Sequence, residues 1–160
     1  MSIHESVFLA DGAIVRGNVT IDEDSSVWFN AVIRAEQEKI SIGKGTNIQD
    51  NAVVHIATGY PAIIGDDCTI GHNAIVHGCT IGNNCLIGMG AIIMDGAVIG
   101  DNCIIGAGSL VSEHKEIPAN TIAFGNPVKI RKNMTEENIA ANHASATSYV
   151  KEAREYKASK

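Results

Sequence analysis

Aromatic side chains are scarce in this chain: Phe, Trp and Tyr together make up 4% of 160 residues. A wide interior built on large rings is excluded, and a narrow one is implied. An excess of basic charge is missing too. Lys and Arg number 12 against 18 Asp and Glu, and the formal net charge of -6 argues against general nucleic-acid binding. No apolar run is long enough to span a membrane, and the opening MSIHESVFLADG does not read as a signal peptide. The cytoplasm is therefore the expected location, and the length implies one domain. Helical periodicity, with apolar residues at i, i+3, i+4 and i+7, is also absent from most of the chain.

In its place is a six-residue period. Aliphatic residues stand at Val15, Ile21, Val27, Ile33, Ile42, Ile48, Val54, Ile64, Ile70, Val76, Ile81, Ile87, Ile93, Ile99, Ile105, Val111 and Ile117. Of the sixteen intervals, thirteen are six residues, and the exceptions are nine (33 to 42), ten (54 to 64) and five (76 to 81). Two residues before most of these positions the side chain is small, and Gly follows seven of them directly. Small and aliphatic residues spaced by two point to one side of an extended segment. The Gly, Asn and Asp beside them suit tight corners. A fixed short period of this kind predicts a solenoid.

The pattern resembles the left-handed β-helix of hexapeptide-repeat proteins. The expected fold is thus an all-β solenoid, a left-handed parallel β-helix over residues 13–118, with 1–12 as a lead-in. If three steps make a coil, the seventeen steps give between five and six coils. After Pro118 and Gly125-Asn126-Pro127 break the ladder, 119–134 is a connecting segment and 135–160 a C-terminal α-helix. Thr135 is the expected N-cap, with Glu136 and Glu137 in the first turn. Cys68, Cys79, Cys85 and Cys103 all fall on the small core position, where Cys acts as a small hydrophobe. Trp28 and Phe29 are expected to fill a contact between subunits.

Stacking every third step sorts the residues that follow the core positions into three columns. One reads Asp22, Gly43, Gly65, Gly82, Gly100, Pro118, and another Trp28, Gln49, Gly71, Gly88, Gly106. The third reads Arg16, Arg34, His55, His77, Met94, Ser112 and contains no glycine. The ten-residue interval makes His55 and His77 vertical neighbours, ~4.8 Å apart at Cα. Nitrogens that share one tetrahedral metal must approach to ~3.4 Å, which converging imidazoles on adjacent rungs can do. His72 lies on the preceding step, about 12 Å or more away along the backbone. It can join His55 and His77 only if it comes from a second copy packed edge to edge, and a three-sided prism suits a cyclic trimer. Three His ligands with an open fourth position form a catalytic arrangement.

The segments Gly45-Thr46-Asn47-Ile48-Gln49-Asp50-Asn51-Ala52-Val53-Val54-His55 and Gly71-His72-Asn73-Ala74-Ile75-Val76-His77-Gly78-Cys79 resemble the signature of the gamma-class carbonic anhydrase family. The resemblance implies a homotrimer with a metal held at each subunit boundary by His55, His72 and His77. It implies an interface role for Arg34, and places Asn47, Gln49 and Asp50 near the metal water. The implied activity is reversible hydration of carbon dioxide to bicarbonate by a metal-bound hydroxide. Zinc is the expected metal, with iron(II) and cobalt(II) as alternatives. Gln49 is positioned to orient hydroxide or substrate, and Asp50 to fix an Arg or an imidazole. The family pattern has Asp two residues after its arginine, where this chain has Glu36. The acidic loop that carries a proton-shuttling glutamate in part of the family is reduced here to Ile56-Ala57-Thr58-Gly59-Tyr60-Pro61, without a carboxylate. Glu36, Glu38 and Tyr149 are the candidate proton carriers in its place. Two other functions remain open: a coenzyme A acyltransferase or metal-dependent thioesterase on the same solenoid, and a non-catalytic metal-binding or scaffold trimer. His4, His114 and His143 lie off the grid and are expected to be solvated.

Overall fold

The computed structural model describes residues 1–159, and Lys160 lies outside the described residues. In chain order the strands are β1 (Ser2–Ile3), β2 (Phe8–Leu9), β3 (Ile14–Ile21), β4 (Ser26–Val27), β5 (Val32–Ile42), β6 (Asn47–Ile48), β7 (Val53–His55), β8 (Ala62–Ile64), β9 (Thr69–Ile70) and β10 (Ile75–His77). They continue with β11 (Thr80–Ile81), β12 (Leu86–Ile87), β13 (Ile92–Ile93), β14 (Val98–Ile99), β15 (Ile104–Ile105), β16 (Leu110–Val111), β17 (Glu116–Ile117), β18 (Thr121–Phe124) and β19 (Lys129–Asn133), and the chain ends in α1 (Glu136–Ala158).

Every strand but β19 pairs in parallel with the strand one coil away, and the result is a left-handed β-helix of about 7 turns. Three flat faces form. The first holds the start of β3 and of β5, then β7, β10, β13 and β16. The second holds β1, the ends of β3 and β5, then β8, β11, β14 and β17. The third runs β2, β4, β6, β9, β12, β15 and β18, with β19 antiparallel at its end. The long strands β3 and β5 turn a corner and serve two faces each.

The solenoid extends past both ends of the repeat that the sequence displays. Ile3 pairs with Ile21 and Leu9 with Val27, so residues expected as a lead-in complete the lowest coil. At the top, Ala123 pairs with Ile105, so β18 adds a rung within the expected connecting segment.

The inward aliphatic positions are almost all sealed, with Ile33, Ile48, Ile70, Ile87, Ile93 and Ile105 at 0% exposure. Each such side chain stabilises the fold by roughly 1.5–3 kcal/mol relative to exposure. The small residues beside them, including Ala52, Ala74, Ala91 and Cys68, are equally buried, since the prism has no width for more. All four cysteines are free and buried.

Thr135 caps α1: its hydroxyl accepts from the Asn138 backbone N–H at 3.1 Å, and Asn138 returns a bond to the Thr135 N–H at 3.0 Å. The helix descends along the third face. Asn142 donates to the Asn84 and Cys103 carbonyls at 3.0 and 3.1 Å. Lower down, Trp28 meets Tyr149 and Tyr156 edge-on at 5.4 Å and Phe8 at 5.3 Å. This corrects the expectation that Trp28 fills a contact between subunits. The chain's own helix supplies the rings, so nearly all the aromatic residues gather outside the solenoid instead of in it.

Candidate metal centre

The corner between the third and first faces presents His72. The next residue, Asn73, has a positive φ of 59°, and its counterparts one coil below and above are positive too, Asn51 at 60° and Gly90 at 67°. Asn and Gly tolerate this left-handed conformation, so the chain can turn sharply there. His55 and His77 stand at the far edge of the first face, where they pair in register, and Arg34 lies directly below His55. The stacking expected from the ten-residue interval is what the strand register displays.

Each of the three histidines has one ring nitrogen engaged by a carboxylate. His55 Nε2 lies 3.1 Å from Glu36 Oε2. His72 Nδ1 lies 2.9 Å from Asp50 Oδ2, and His77 Nδ1 lies 2.5 Å from Asp95 Oδ1. A carboxylate accepts a hydrogen bond from the N–H it faces, and in the neutral ring this leaves the lone pair on the opposite nitrogen. The nitrogens turned away from the carboxylates are His55 Nδ1, His72 Nε2 and His77 Nε2. Two of them, His55 Nδ1 and His77 Nε2, are 3.0 Å apart. That separation and donor set fit two ligands of one divalent ion. Burial, then the Arg34 guanidinium and the His77 ring, lowers the His55 pKa, which favours the neutral imidazole that a metal requires.

Within one chain the set stops at two. Among the described residues no three His, Cys, Asp or Glu side chains converge on a point that could hold a metal. His72 sits one corner away, 38% exposed at its side chain.

The other expected residues divide into two groups. Glu36 bridges Arg34, by an ion pair, and His55. Glu38 accepts from the Gly59 N–H at 3.0 Å and so ties down the short loop after His55. Asn47 and Gln49 belong to the His72 side. Asn47 donates to the Cys68 carbonyl at 3.2 Å and Thr69 Oγ1 at 3.1 Å, and Gln49 Nε2 donates to Asn47 Oδ1 at 3.1 Å. Gln49 and His72 border a mainly apolar cleft of about 440 Å³ between the third face and α1. Tyr149 packs on Trp28. Burial first, then Glu152 and Asp50, raises its pKa above that of an ordinary phenol. Asp95 is the residue that sequence reading missed. It follows His77 by 18 residues, one beyond the 17 that carry this coil from His77 to Met94, so it stands just off the histidine column.

His4, His114 and His143 are exposed. His143 faces Asp67 at 3.5 Å, and His114 stacks near Tyr60.

Comparison with known proteins bears on this geometry. A "Probable carbonic anhydrase" of Methanocaldococcus jannaschii is 51% identical over 93% of this chain and 94% of its own. A carbonic anhydrase of Geobacillus kaustophilus is 44% identical over 98% of this chain and 86% of its own. The mitochondrial gamma carbonic anhydrase 1 of Arabidopsis thaliana is 40% identical over 92% of this chain. The chain belongs to the gamma-class carbonic anhydrase family. It spans 56% of the length of the Arabidopsis family member. The hexapeptide repeat that the family shares with transferases is matched twice, by a bacterial transferase hexapeptide model over residues 78–113 and by a succinyl-transferase hexapeptide model over 61–94. Two crystal structures that carry transferase names share this fold. One, from Bacillus cereus and provisionally designated an acetyltransferase, has a TM-score of 0.97, with 45% identity over 99% of this chain and 92% of that one. The other, a hexapeptide transferase family protein of Anaplasma phagocytophilum, has a TM-score of 0.93, with 41% identity over 97% and 92%. No helix among the described residues is long and apolar enough to cross a membrane.

Proposed function

We propose that this protein catalyses the reversible hydration of carbon dioxide to bicarbonate in the cytoplasm, at metal centres shared between the subunits of a homotrimer. One observation carries the reading: three histidines each have one nitrogen engaged by a carboxylate, and two of the opposite nitrogens lie 3.0 Å apart. Such carboxylates orient ligand imidazoles and raise their basicity. The outward column of the first face supports a partner there. Ile14, Val32, Val53, Ile75, Ile92 and Leu110 stack in register as an unbroken aliphatic stripe, with Ile14 at 48% exposure. A stripe of this kind beside an incomplete ligand set suits a second copy.

His55 and His77 of one copy and His72 of the next would hold a zinc ion, which would lower the pKa of a bound water to about 7 and so supply hydroxide at neutral pH. Iron(II) and cobalt(II) satisfy the same three imidazoles. Gln49, with its amide nitrogen committed to Asn47, offers its carbonyl oxygen to a water hydrogen. The apolar lining of the cleft beside Gln49 admits an uncharged gas. Arg34 offers a charge to bicarbonate or to a carboxylate of the neighbouring copy. Glu36, in contact with His55 and with its side chain 43% exposed, is the carboxylate best placed to pass a proton to solvent.

Stopped-flow carbon dioxide hydration tests the reading, on protein purified anaerobically with zinc or ferrous iron and with His77→Ala as control. Metal-dependent hydration that is lost in the variant is expected. About one metal per chain without hydration would favour thioester hydrolysis or a binding role, and absence of bound metal would sink the centre itself. The transferase names of the two crystal structures favour a second reading, coenzyme A acyl transfer. That activity would survive chelation, because it has no use for the three histidines.

A further inference from the structure

The two edges that meet at a shared centre run the full height of the solenoid. On the first face the edge column is Arg16, Arg34, His55, His77, Met94, Ser112, in strand register. On the corner before it, register through Leu9, Val27, Ile48, Ile70, Ile87 and Ile105 sets up a second column two residues further on: Asp11, Phe29, Asp50, His72, Met89, Ala107. Within every coil five residues separate the two columns, as in 11 to 16 and 72 to 77. The chain climbs only ~1–2 Å between them, out of ~4.8 Å per coil.

Rotation about an axis parallel to the solenoid leaves height unchanged. In a closed three-fold ring the neighbour's His72 therefore arrives at a level between His55 and His77. By the same rule the neighbour's Asp50 arrives between Arg34 and His55, and its Met89 between His77 and Met94. At the lowest rung the neighbour's Asp11 arrives beside Arg16.

The apolar contact alone does not set this alignment. The stripe from Ile14 to Leu110 is aliphatic at every rung, so a copy slipped by one coil loses little of it. A slipped contact repeats as an open helix instead of closing into a ring. Its histidines also miss each other, since His72 then lies level with Arg34 and His55 or with His77 and Met94. Some group outside the stripe must penalise the slip.

We propose that Arg16 of each copy pairs with Asp11 of its neighbour and that this contact fixes the vertical register of the trimer. The inference rests on the shared-centre reading. Arg16 is exposed in the chain and stacks in register under Arg34, whose own charge is met by Glu36. A carboxylate at the rung of Arg16 balances the lower of two stacked guanidinium groups. In a slipped contact Arg16 faces Phe29 or projects past the end of the neighbour. The pair thus selects the closed ring by making its competitors worse.

Charge exchange tests this on the full-length protein, by analytical ultracentrifugation across concentration with metal per chain measured in the same samples. Arg16→Glu alone and Asp11→Arg alone each place like charges together. Each is expected to raise the concentration at which the trimer dissociates by roughly tenfold or more. The double variant restores attraction with the signs exchanged and should return to within about threefold of the wild type. Its recovery also shows that neither substitution prevents folding. Single variants that assemble like the wild type, or a double variant no better than the singles, overturn the register pair. If the wild type is a metal-loaded trimer in that same experiment, only the register pair falls. A monomeric, metal-free wild type overturns the shared-centre reading along with it.

Discussion

Asp95 illustrates how much depends on a single side chain that is far in sequence from the ligand it touches. Its Oδ1 faces His77 Nδ1 at 2.5 Å, so it selects the tautomer that leaves Nε2 free. Removing such a partner typically costs 10–100-fold in metal affinity. Asp95→Ala should therefore weaken zinc binding by about 10–100-fold, measured by competition with a chromophoric chelator. Asp95→Asn keeps an acceptor oxygen and should lose less. Equal affinity in all three proteins would remove Asp95 from the centre. Cys79 offers a second residue-scale prediction. Burial pushes its thiol from 9.0 up to about 12. The folded-state value is raised above the unfolded one, so the stability it contributes is complete below about pH 9 and is lost as pH rises toward 12. Unfolding midpoints taken at pH 8 and pH 11 should fall, and the fall should be smaller in Cys79→Ala. In the native state at pH 8, thiol reagents should leave Cys79 unmodified, since the thiolate is the reactive form.

At the scale of elements, α1 is held by one ring cluster at its lower half and by amides at its upper half. Trp28 is 3% exposed and donates from Nε1 to Ser26 Oγ at 2.9 Å. Trp28→Ala should cost about 3–5 kcal/mol in denaturant unfolding and expose the helix to limited proteolysis before the solenoid. Simultaneous loss of both would mean that helix and solenoid form one cooperative unit. The period of six made the central coils readable, because every rung repeats the same aliphatic and small residues. The end turns escaped for a physical reason. Ile3 and Leu9 continue the spacing of six down from Val15, yet they face an open end, where neither glycine corners nor complete burial are required. Ala123 fills its rung with a side chain too small to register as a core aliphatic, after the apparent stop at Pro118. The helix and its cap were legible from Thr135 onward, whereas the destination of Trp28 was not. A ring cluster between distant segments leaves no local pattern.

The same limit operates on the whole molecule. Sequence spacing placed His77 over His55 and put Asp50 in the column below His72, because those relations follow from coil length. The carboxylates on His55 and His77 depend on which way side chains lean at a corner, and this is set by packing. Completion of the centre depends on an assembly larger than the chain, and that dependence yields a sharp test. His72→Ala leaves His55 and His77 intact, and His77→Ala leaves His72 intact. Each variant alone should assemble without a complete centre. In trimers formed from an equal mixture, a boundary is complete only when the first variant supplies the pair and the second supplies the single ligand. Random assembly makes that true at about one quarter of the boundaries. Coexpression or joint refolding should therefore restore about a quarter of the wild-type metal content and hydration rate, and simple mixing of preformed trimers should restore little. A site confined to one chain predicts no recovery in any mixture, because every chain then lacks one ligand. Recovery well below a quarter after verified subunit exchange would count against sharing, and the metal measurement would show this even if the reaction were something other than carbon dioxide hydration.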